Sequence, residues 1–194
     1  FAYAASHDLQ EPLRVVKGYL DLLERRYKQV LDPKAQDYVT GAVTEAGRMQ
    51  ALINDLLRYS RINTQGHPLE LMDVGVTLDA ALENLQVAVL ESSAKITREP
   101  LPKVLADASQ ITQVFQNLVA NAIKFHNART PEVHIGARAV GDRWEICVRD
   151  NGIGIAAKDQ DRLFTVFQRL HGEEIPGTGI GLALCKRVIE RHGG

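Results

Sequence analysis

Residues 107–125 read DASQITQVFQNLVANAIKF, and this stretch decides the fold of the second half of the chain. Its apolar residues recur three and four positions apart, which predicts an amphipathic helix, and Asp107 stands where a helix-capping acid is expected. The spacing of Asn117, Asn121 and Lys124 places these side chains on one helix face. Amide oxygens suit Mg2+ and an ammonium group suits phosphate, although an ordinary polar helix face explains the same residues.

The segments on either side of this helix alternate between strand and helix patterns. Residues 103–106 predict a short strand, and residues 132–139 and 143–149 predict a β-hairpin. Residues 76–92 and 179–192 predict helices, whereas residues 60–74 break the periodicity and are interpreted as a linker. Helices intermixed with mainly antiparallel strands predict an α+β two-layer sandwich, with the helices on one face of the sheet.

Two glycine-rich segments lie in this half of the chain. In residues 150–155, DNGIGI, the carboxylate of Asp150 can accept a hydrogen bond from the amino group of a base, but a capped glycine turn is an equally good explanation. Residues 177–182, GTGIGL, open a helix whose backbone N–H groups suit phosphate. A dinucleotide-binding fold is excluded because no parallel strand immediately precedes these glycines and no following strand carries the acid that binds the ribose. A Walker-type loop is excluded because Gly-Lys-Ser/Thr is missing.

Residues 164–170, FTVFQRL, lie between the two glycine segments. Arg169 could reach a terminal phosphate of a bound nucleotide. Phe164 and Phe167 could anchor a mobile segment, but taken alone they are more simply explained as core residues.

The first half of the chain carries two heptad seams, which predict two long helices in an antiparallel hairpin. Asp32 and Pro33 separate the seams, as a capping acid and a first-turn proline. Such a hairpin has a thin core, so we expect a second copy to complete a four-helix bundle rather than packing on the rest of this chain. The seams consist of Leu9, Leu13, Val16, Leu20, Leu23, Tyr27 and Val30, and of Val39, Ala42, Ala46, Met49, Ile53 and Leu56, with Leu52 and Leu57 widening the second.

His7 lies two residues before the seam position Leu9, so we expect it on the exposed flank of the first helix. Asp8 could accept the imidazole proton and leave one ring nitrogen nucleophilic. Pro12 removes the helix hydrogen bond to the carbonyl of Asp8. A solvated helix histidine without a role explains His7 equally well when the residue is taken alone.

The composition excludes several classes of protein. Of the 194 residues, 45% are apolar and 24% are charged, and the net charge of -1 gives no attraction to nucleic acid or to an anionic membrane. Cys147 and Cys185 lie in apolar segments, which predicts buried, reduced thiols in a cytoplasmic protein. No apolar run is long enough to span a membrane, and the chain begins without methionine at Phe1, so we interpret it as a fragment.

Taken in order, these motifs resemble the sensor histidine kinases of two-component signalling. Residues 6–14, SHDLQEPLR, look like the H box of that family, with wording similar to the subgroup found behind phytochrome-type photosensors. The segments 117–125, 150–155, 164–170 and 177–182 look like its N, G1, F and G2 boxes. The resemblance covers essentially the whole chain.

The resemblance implies a domain organisation and an activity. Residues 1–64 would form a dimerisation and histidine phosphotransfer domain, and residues 65–194 a catalytic ATP-binding domain of the Bergerat type that stops before its last strands. The chain would be an ATP-dependent autokinase that phosphorylates His7 and passes the phosphoryl group to an aspartate. The implied cofactors are ATP and Mg2+. The implied partners are a second copy, a response-regulator receiver domain and an upstream sensor domain on the same chain, without nucleic acid.

The resemblance also implies a role for each residue of the boxes. His7 would attack the γ-phosphate with Asp8 as proton acceptor, and Asn121 would ligate Mg2+ with the catalytic Asn117 nearby. The other nucleotide-binding residues would be Lys124, Phe125, Asp150, Gly152, Gly154, Ile155, Arg169, Gly177, Thr178, Gly179, Gly181 and Leu182.

One departure from the family pattern and two alternatives accompany this hypothesis. Many relatives carry Thr or Asn four residues after the phospho-accepting histidine, whereas this chain carries Glu11, so we expect weak phosphatase activity. The first alternative is a nucleotide-binding pseudokinase that signals by conformation. The second is an ATPase of the gyrase, chaperone or mismatch-repair type, which shares the nucleotide boxes.

Overall fold

A computed structural model describes residues 2–62, 64, 66–170 and 177–194, with side chains from Leu9 onward. The chain divides into two compact units, Phe1–Thr64 and Gln65–Gly194. Among the residues so described, no helix has the length and apolar character needed to cross a membrane.

The first unit is a helical hairpin of α1 (Ala2–Tyr27) and α2 (Pro33–Arg61). Asp32 caps α2, because its Oδ1 accepts a hydrogen bond of 2.8 Å from the backbone N–H of Ala35. The amide of Gln36 donates to the carbonyls of Lys28 and Leu31 and so closes the turn between the helices. The predicted hairpin, with its acid cap and first-turn proline, is confirmed.

Only one flank of the predicted seam is buried within a single chain. Leu13, Ala46 and Leu57 are buried. Helix α2 covers the flank of α1 that carries Leu13, whereas the flank that carries Leu9 faces outward, where the sequence analysis expects a second copy. The exposed seam residues are Leu9, Val16, Leu23, Tyr27, Val30, Ala42 and Met49.

The second unit is an α/β fold with two small sheets. Strands β1 and β3 pair antiparallel, while β4 pairs parallel with β2 and antiparallel with β5. In chain order its elements are β1 (Glu70–Asp73), α3 (Val74–Asn84), α4 (Gln86–Ser92), β2 (Lys95–Arg98), β3 (Lys103–Ala106), α5 (Ala108–Lys124), β4 (Glu132–Val140), β5 (Arg143–Asp150), a 3-10 turn (Ala157–Arg162) and α6 (Gly181–Arg191).

The core of the second unit lies between three helices and strand β4. Apolar side chains from α3, α5, β4 and α6 meet there and are almost fully buried. Their burial removes apolar surface from water and holds the helices against the sheet. The most deeply buried are Val74, Leu78, Phe115, Val119, Val133, Ile135, Leu184 and Val188.

Several predicted elements are confirmed and others are corrected. Strand β3, helix α5 with its Asp107 cap and the β4–β5 hairpin lie where the sequence predicts them. The linker prediction for residues 60–74 was wrong at both ends, since α2 runs through Arg61 and β1 pairs with β3. The helix predicted over residues 76–92 is two helices, separated at Leu85. Strand β2 was missed, and its parallel pairing with β4 departs from a mainly antiparallel sheet.

A buried carboxylate joins three segments of the second unit. The Oδ1 of Asp107 accepts hydrogen bonds from the backbone N–H groups of Ser109 at 3.1 Å and Gln110 at 3.3 Å, which caps α5. Its Oδ2 accepts from His67 N–H at 2.8 Å and from Arg191 Nη1 at 3.2 Å. Burial by itself would raise the pKa of Asp107, but these hydrogen bonds and that of the Ser109 hydroxyl outweigh it and lower the pKa.

We expect Asp107→Asn to lower the free energy of unfolding by about 3 kcal/mol, because the substitution leaves the Arg191 guanidinium without its carboxylate. A lowered folded-state pKa stabilises the fold above the ordinary value of 3.8 and stops doing so as the pH falls through the folded value. The cost should therefore be constant from about pH 7 to pH 5 and shrink in stronger acid. Urea unfolding followed by the fluorescence of Trp144, the single tryptophan, measures it.

The matched control is Asp79→Asn, which removes an exposed carboxylate from its ion pair with Arg98. This change should cost less than about 1 kcal/mol. The expectation is contradicted when both substitutions cost the same at neutral pH, or when the difference between them grows with acid.

Candidate functional site

Helix α5 turns its apolar side to the core and carries the predicted ligand residues along a half-buried edge. Asn117, Asn121 and Lys124 are all half-buried, whereas Val119 and Ala122 between them are buried. Asn117 faces α6, because a Cβ on Gly181 would lie 3.4 Å from the Oδ1 of Asn117. This edge is therefore packed against the start of α6 and is not simply a solvated polar face.

Cys185 lies one turn after Gly181 on α6 and is buried against α5. Its Sγ lies 3.9 Å from the carbonyl oxygen of Val114, to which it donates. Burial raises the pKa of Cys185 to about 11, against the opposing effect of a hydrogen bond with the side chain of Asn117. The predicted burial of Cys185 is confirmed, whereas Cys147 is exposed on β5.

The loop after β5 is pinned to the end of α5. The Oδ1 of Asp150 accepts a hydrogen bond of 2.8 Å from Gly152 N–H, and Ile153 N–H donates to the carbonyl oxygen of Phe125 at 2.9 Å. A Cβ on Gly152 would lie 2.5 Å from that carbonyl oxygen, so only glycine fits there. Gly154 adopts φ of +70°, the left-handed region that favours glycine. The carboxylate of Asp150 is exposed, and the loop holds it beside Phe125.

Three predicted residues meet at the end of α5. The Nζ of Lys124 lies 4.5 Å from the centre of the Phe125 ring and 2.6 Å from the position that a Cβ on Gly177 would take. Burial lowers the pKa of Lys124, and the positive charge of Arg169 lowers it further. A lysine whose charge is disfavoured by burial and by a neighbouring cation lies at a site that an anion would stabilise.

The second glycine segment packs on the backbone around residue 168. Gly179 has φ of +72°, and a Cβ there would lie 2.8 Å from the carbonyl oxygen of Gln168. Thr178 Oγ1 accepts a weak hydrogen bond of 3.4 Å from Ile180 N–H. Helix α6 begins at Gly181 rather than at Gly179 as predicted, and both Gly181 and Leu182 are half-buried.

The aromatic residues of segment 164–170 are exposed, so the interpretation that they are core residues was wrong. Phe164 and Phe167 are 46% and 56% exposed. Phe167 has φ of +66°, which costs free energy in a residue with a bulky side chain. Lys186 of α6 lies 5.8 Å from the centre of the Phe164 ring. The segment thus presents aromatic surface rather than filling the core.

His7 and Asp8 lie within α1, but their side chains are outside the described part of the chain. Helix α1 continues through Pro12, and Glu11 beside it is exposed.

Asn151 holds the Asp150 loop in place, and the sequence analysis did not identify it. Its Oδ1 accepts from Glu132 N–H at 2.9 Å, and its Nδ2 donates to the carbonyl oxygen of Thr130 at 3.0 Å. The side chain therefore fixes the loop of Asp150 to the start of β4. An asparagine before glycine is a common turn signal, but the partners of this one lie some twenty residues earlier in the sequence.

Two protein families match the chain, in the order in which its motifs occur. Residues 1–65 match the His Kinase A (phospho-acceptor) domain. Residues 106–194 match the family of histidine kinase-, DNA gyrase B- and HSP90-like ATPases. A phospho-acceptor domain ahead of the ATPase domain separates this chain from the gyrase and chaperone branches. The chain belongs to the sensor histidine kinase family.

Similar proteins support the same assignment for this histidine kinase core. Over its whole length it is 51% identical to cyanobacterial phytochrome A of Nostoc sp. and 48% identical to the phytochrome-like protein Cph1 of Synechocystis sp., and it spans 26% of each. Among solved structures it is similar to full-length ShkA in complex with AMPPNP, with a TM-score of 0.71, 28% identity, and coverage of 99% of this chain and 41% of that one. The kinase core thus spans about a quarter of the length of these curated relatives.

Gly152→Ala should lower the free energy of unfolding of the second unit by about 1–3 kcal/mol, because the added Cβ overlaps a backbone carbonyl that cannot move alone. Urea unfolding monitored by Trp144 fluorescence measures this loss.

Gly47→Ala is the control, since a Cβ on Gly47 of α2 meets nothing within 4 Å. It should leave the Trp144 transition unchanged. A Gly152 variant with wild-type stability would show that the loop tolerates a side chain and that its contact with Phe125 is loose.

Proposed function

We propose that this chain is the kinase core of an ATP-dependent protein-histidine autokinase, which phosphorylates His7 and passes the phosphoryl group to an aspartate of a response-regulator receiver domain. The observation that carries the proposal is the meeting of Lys124, Arg169 and Gly177 beside Phe125, where the Asp150 loop is pinned. A base-binding carboxylate and a cationic phosphate site are thereby joined at one end of α5.

The base of the nucleotide would bind at the Asp150 loop. One oxygen of Asp150 is fixed by Gly152 N–H, and the exposed carboxylate can accept a hydrogen bond from the amino group of adenine. Phe125 and the partly exposed Ile155 would supply apolar contact to the ring. Gly154 would let the backbone turn closely past the base.

The phosphates would bind between the end of α5 and the start of α6. The positive charge of Arg169 acts on Lys124, whose own charge is disfavoured by burial, and a polyphosphate would stabilise the charge of Lys124. The backbone N–H groups of segment 177–182 lie at a helix N-terminus, which favours negative charge. Within that segment, Gly177, Thr178, Gly179, Gly181 and Leu182 are the proposed contacts.

Asn121 is the proposed ligand of Mg2+, with Asn117 one turn before it. The donor set fits, because an amide oxygen is a hard ligand and Mg2+ is commonly shared between a few protein oxygens and the phosphates of a nucleotide. When bound, the ion would offset the charge that develops on the phosphate oxygens. Asn117 is held by its contacts with Gly181 and Cys185, so its amide is positioned before any ligand enters.

In the proposed reaction a ring nitrogen of His7 attacks the γ-phosphorus of ATP. The bond from this phosphorus to the bridging oxygen breaks, ADP leaves, and the imidazole proton passes to Asp8. The phosphohistidine then transfers its phosphoryl group to the receiver aspartate, and the return of a proton to the ring restores the neutral imidazole. Such a transfer needs mainly positioning and charge neutralisation, and the residues at the end of α5 would provide the latter.

A second copy of the chain is the proposed partner of the hairpin. Leu9, Val16, Leu23 and Val30 recur every seven residues along the outward flank of α1, and all four are exposed. Such a stripe suits a left-handed four-helix bundle built from two hairpins. Residues 1–64 would then serve dimerisation and phosphotransfer, and residues 65–194 ATP binding.

The rest of the signalling protein is proposed from the length of the relatives, of which this chain spans about a quarter. A sensor domain would lie elsewhere on the same chain, and the kinase core itself would be cytoplasmic. Glu11 keeps the proposed phosphatase activity weak. No observation favours a pseudokinase scaffold.

Incubation with γ-labelled ATP and Mg2+ should yield protein-bound label that is labile in acid and stable in base. His7→Gln should abolish this label, because amide nitrogen is not nucleophilic. His134→Gln, at an exposed histidine of β4, is the control and should label like the wild type.

The labelling experiment also separates the alternatives. Release of free phosphate without labelled protein would favour the gyrase-type ATPase. The absence of both products would favour the pseudokinase scaffold. Label retained in His7→Gln would show that a residue other than His7 is phosphorylated.

The double substitution Val16→Glu and Leu23→Glu should convert a dimer to a monomer, because it places charges in the proposed helix interface. Both residues are exposed in the single chain, so the hairpin itself should keep its helicity. Sedimentation velocity at micromolar concentration measures the mass, and circular dichroism the helicity.

Val87→Glu with Leu90→Glu is the matched control, at two exposed apolar residues of α4. It should leave the dimer intact. A wild-type monomer, or a dimer that survives charges at positions 16 and 23, would contradict the proposed interface.

A further inference from the structure

The last turn of α6 holds the segment that leads into the second unit. Arg191 donates from Nη2 to the carbonyl oxygen of His67 at 2.7 Å, and from Nη1 to Gln110 Oε1 at 2.7 Å and Asp107 Oδ2 at 3.2 Å. The N–H of His67 donates to the same Asp107 Oδ2 at 2.8 Å. Both backbone groups of His67 are thus bound. We call His67, Asp107, Gln110 and Arg191 the latch.

Two residues beside the latch, Gly66 and His192, pack closely against it. A Cβ on Gly66 would overlap the guanidinium of Arg191, so the segment approaches as closely as a backbone can. His192 Nε2 accepts a hydrogen bond of 2.9 Å from Asp107 N–H, while its Nδ1 lies 2.7 Å from the carbonyl oxygen of Val188. This geometry places the imidazole proton on Nδ1.

Burial distinguishes the latch from the ion pairs on the surface of the second unit. The side chains of Arg191 and Asp107 are 18% and 1% exposed, compared with 73% and 51% for the pair of Arg138 and Glu145. Exposed pairs contribute little, whereas breaking a buried pair leaves an uncompensated charge. Breaking the pair of Arg191 and Asp107 is therefore costly, and the latch residues are held in one arrangement.

The latch and the proposed nucleotide site lie at opposite ends of the same two helices. Helix α5 begins beside Asp107 and ends at Lys124, while α6 begins at Gly181 and ends at Arg191. Asn117 packs against Gly181 in between, so the helices run antiparallel as one layer. The connecting chain is thereby fixed to the helices that carry the nucleotide residues.

We propose that Arg191 is a positioning residue for phosphoryl transfer, because it shortens the connection between the phospho-accepting helices and the ATP-binding unit. The inference rests on the proposed kinase activity. Helix α2 ends at Arg61 and the latch begins at Gly66, which leaves four residues, 62–65; release would extend the connection to β1 at Glu70, eight residues, 62–69. For a linker longer than the span it bridges, effective concentration falls with about the three-halves power of linker length, so a doubling of length then lowers it about three-fold.

The test compares Arg191→Met and Gly66→Ala with Arg138→Met in the whole 194-residue chain. Arg191→Met removes the guanidinium but keeps a long side chain, whereas Gly66→Ala places a Cβ where the guanidinium lies and removes no charged group of the latch. Both should lower kcat for labelling of the histidine about three-fold and leave KM for ATP unchanged. Arg191→Lys should lie between Met and wild type. Arg138→Met, at an exposed ion pair, should change neither parameter.

Hydrogen exchange at the His67 amide tests the latch independently of catalysis. Exchange should accelerate at least about ten-fold in both latch variants and stay unchanged in Arg138→Met. A rise in KM for ATP with constant kcat would overturn the proposal, because the latch would then only support the nucleotide site. Unchanged exchange and kinetics in Gly66→Ala would also overturn it. A wild-type chain that takes up no label would refute the proposed function and the kinetic role, while exchange at His67 still decides whether the latch holds the segment.

Discussion

The hydrogen bonds at the two ends of α5 fix the helix along its axis, and the rest of the second unit is arranged around it. At the first end Asp107 caps the backbone, and at the last end the carbonyl oxygen of Phe125 accepts from Ile153. Between these ends Phe115 and Val119 are buried in the core, which fixes the rotation of the helix as well. Because α5 can neither slide along its axis nor rotate about it, the side chains at positions 117, 121 and 124 have defined places. The two loops that meet them need only small residues at the contacts.

The elements that the sequence predicted are those whose signals are local. Helix α5 carries its own cap and periodicity, and the β4–β5 hairpin carries a glycine with φ of +63° at Gly141. Strands β1 and β2 have four residues each, and their partners lie thirty or more residues away. Strand β3 is equally short, but it is an apolar segment directly before the helix cap at Asp107, and this gives it a local signal. The periodicity of α1 shows an apolar stripe, but it cannot divide that stripe between α2 and a second copy, and only the structure shows that Leu9 lies on the outward flank.

The residues of the candidate site also divide into those with a local sequence signal and those without one. Spacing alone brings Asn117, Asn121 and Lys124 to one face, and the glycine segments lie against them as the motifs predict. No local signal tells that Phe164 and Phe167 are exposed, because an aromatic pair in an apolar segment has the composition of a core. Arg191 and His67 are separated by most of the sequence of the second unit, and their contact depends on where α6 ends. Motifs thus predict which residues bind a ligand, whereas the residues that hold them in place depend on the tertiary fold.

The buried pair of Arg191 and Asp107 needs a reason beyond stability, since well-packed apolar residues of similar volume often stabilise a fold as much as a buried ion pair does. The difference lies in the backbone groups that the pair satisfies. Asp107 accepts from the first turn of α5 and from His67, and Arg191 donates to the carbonyl oxygen of His67. Apolar side chains would leave these groups unpaired and would allow the segment to slide, because apolar contact has no direction. The charged pair fixes one residue of the connection in one register, and this directional constraint is what a positioning role requires.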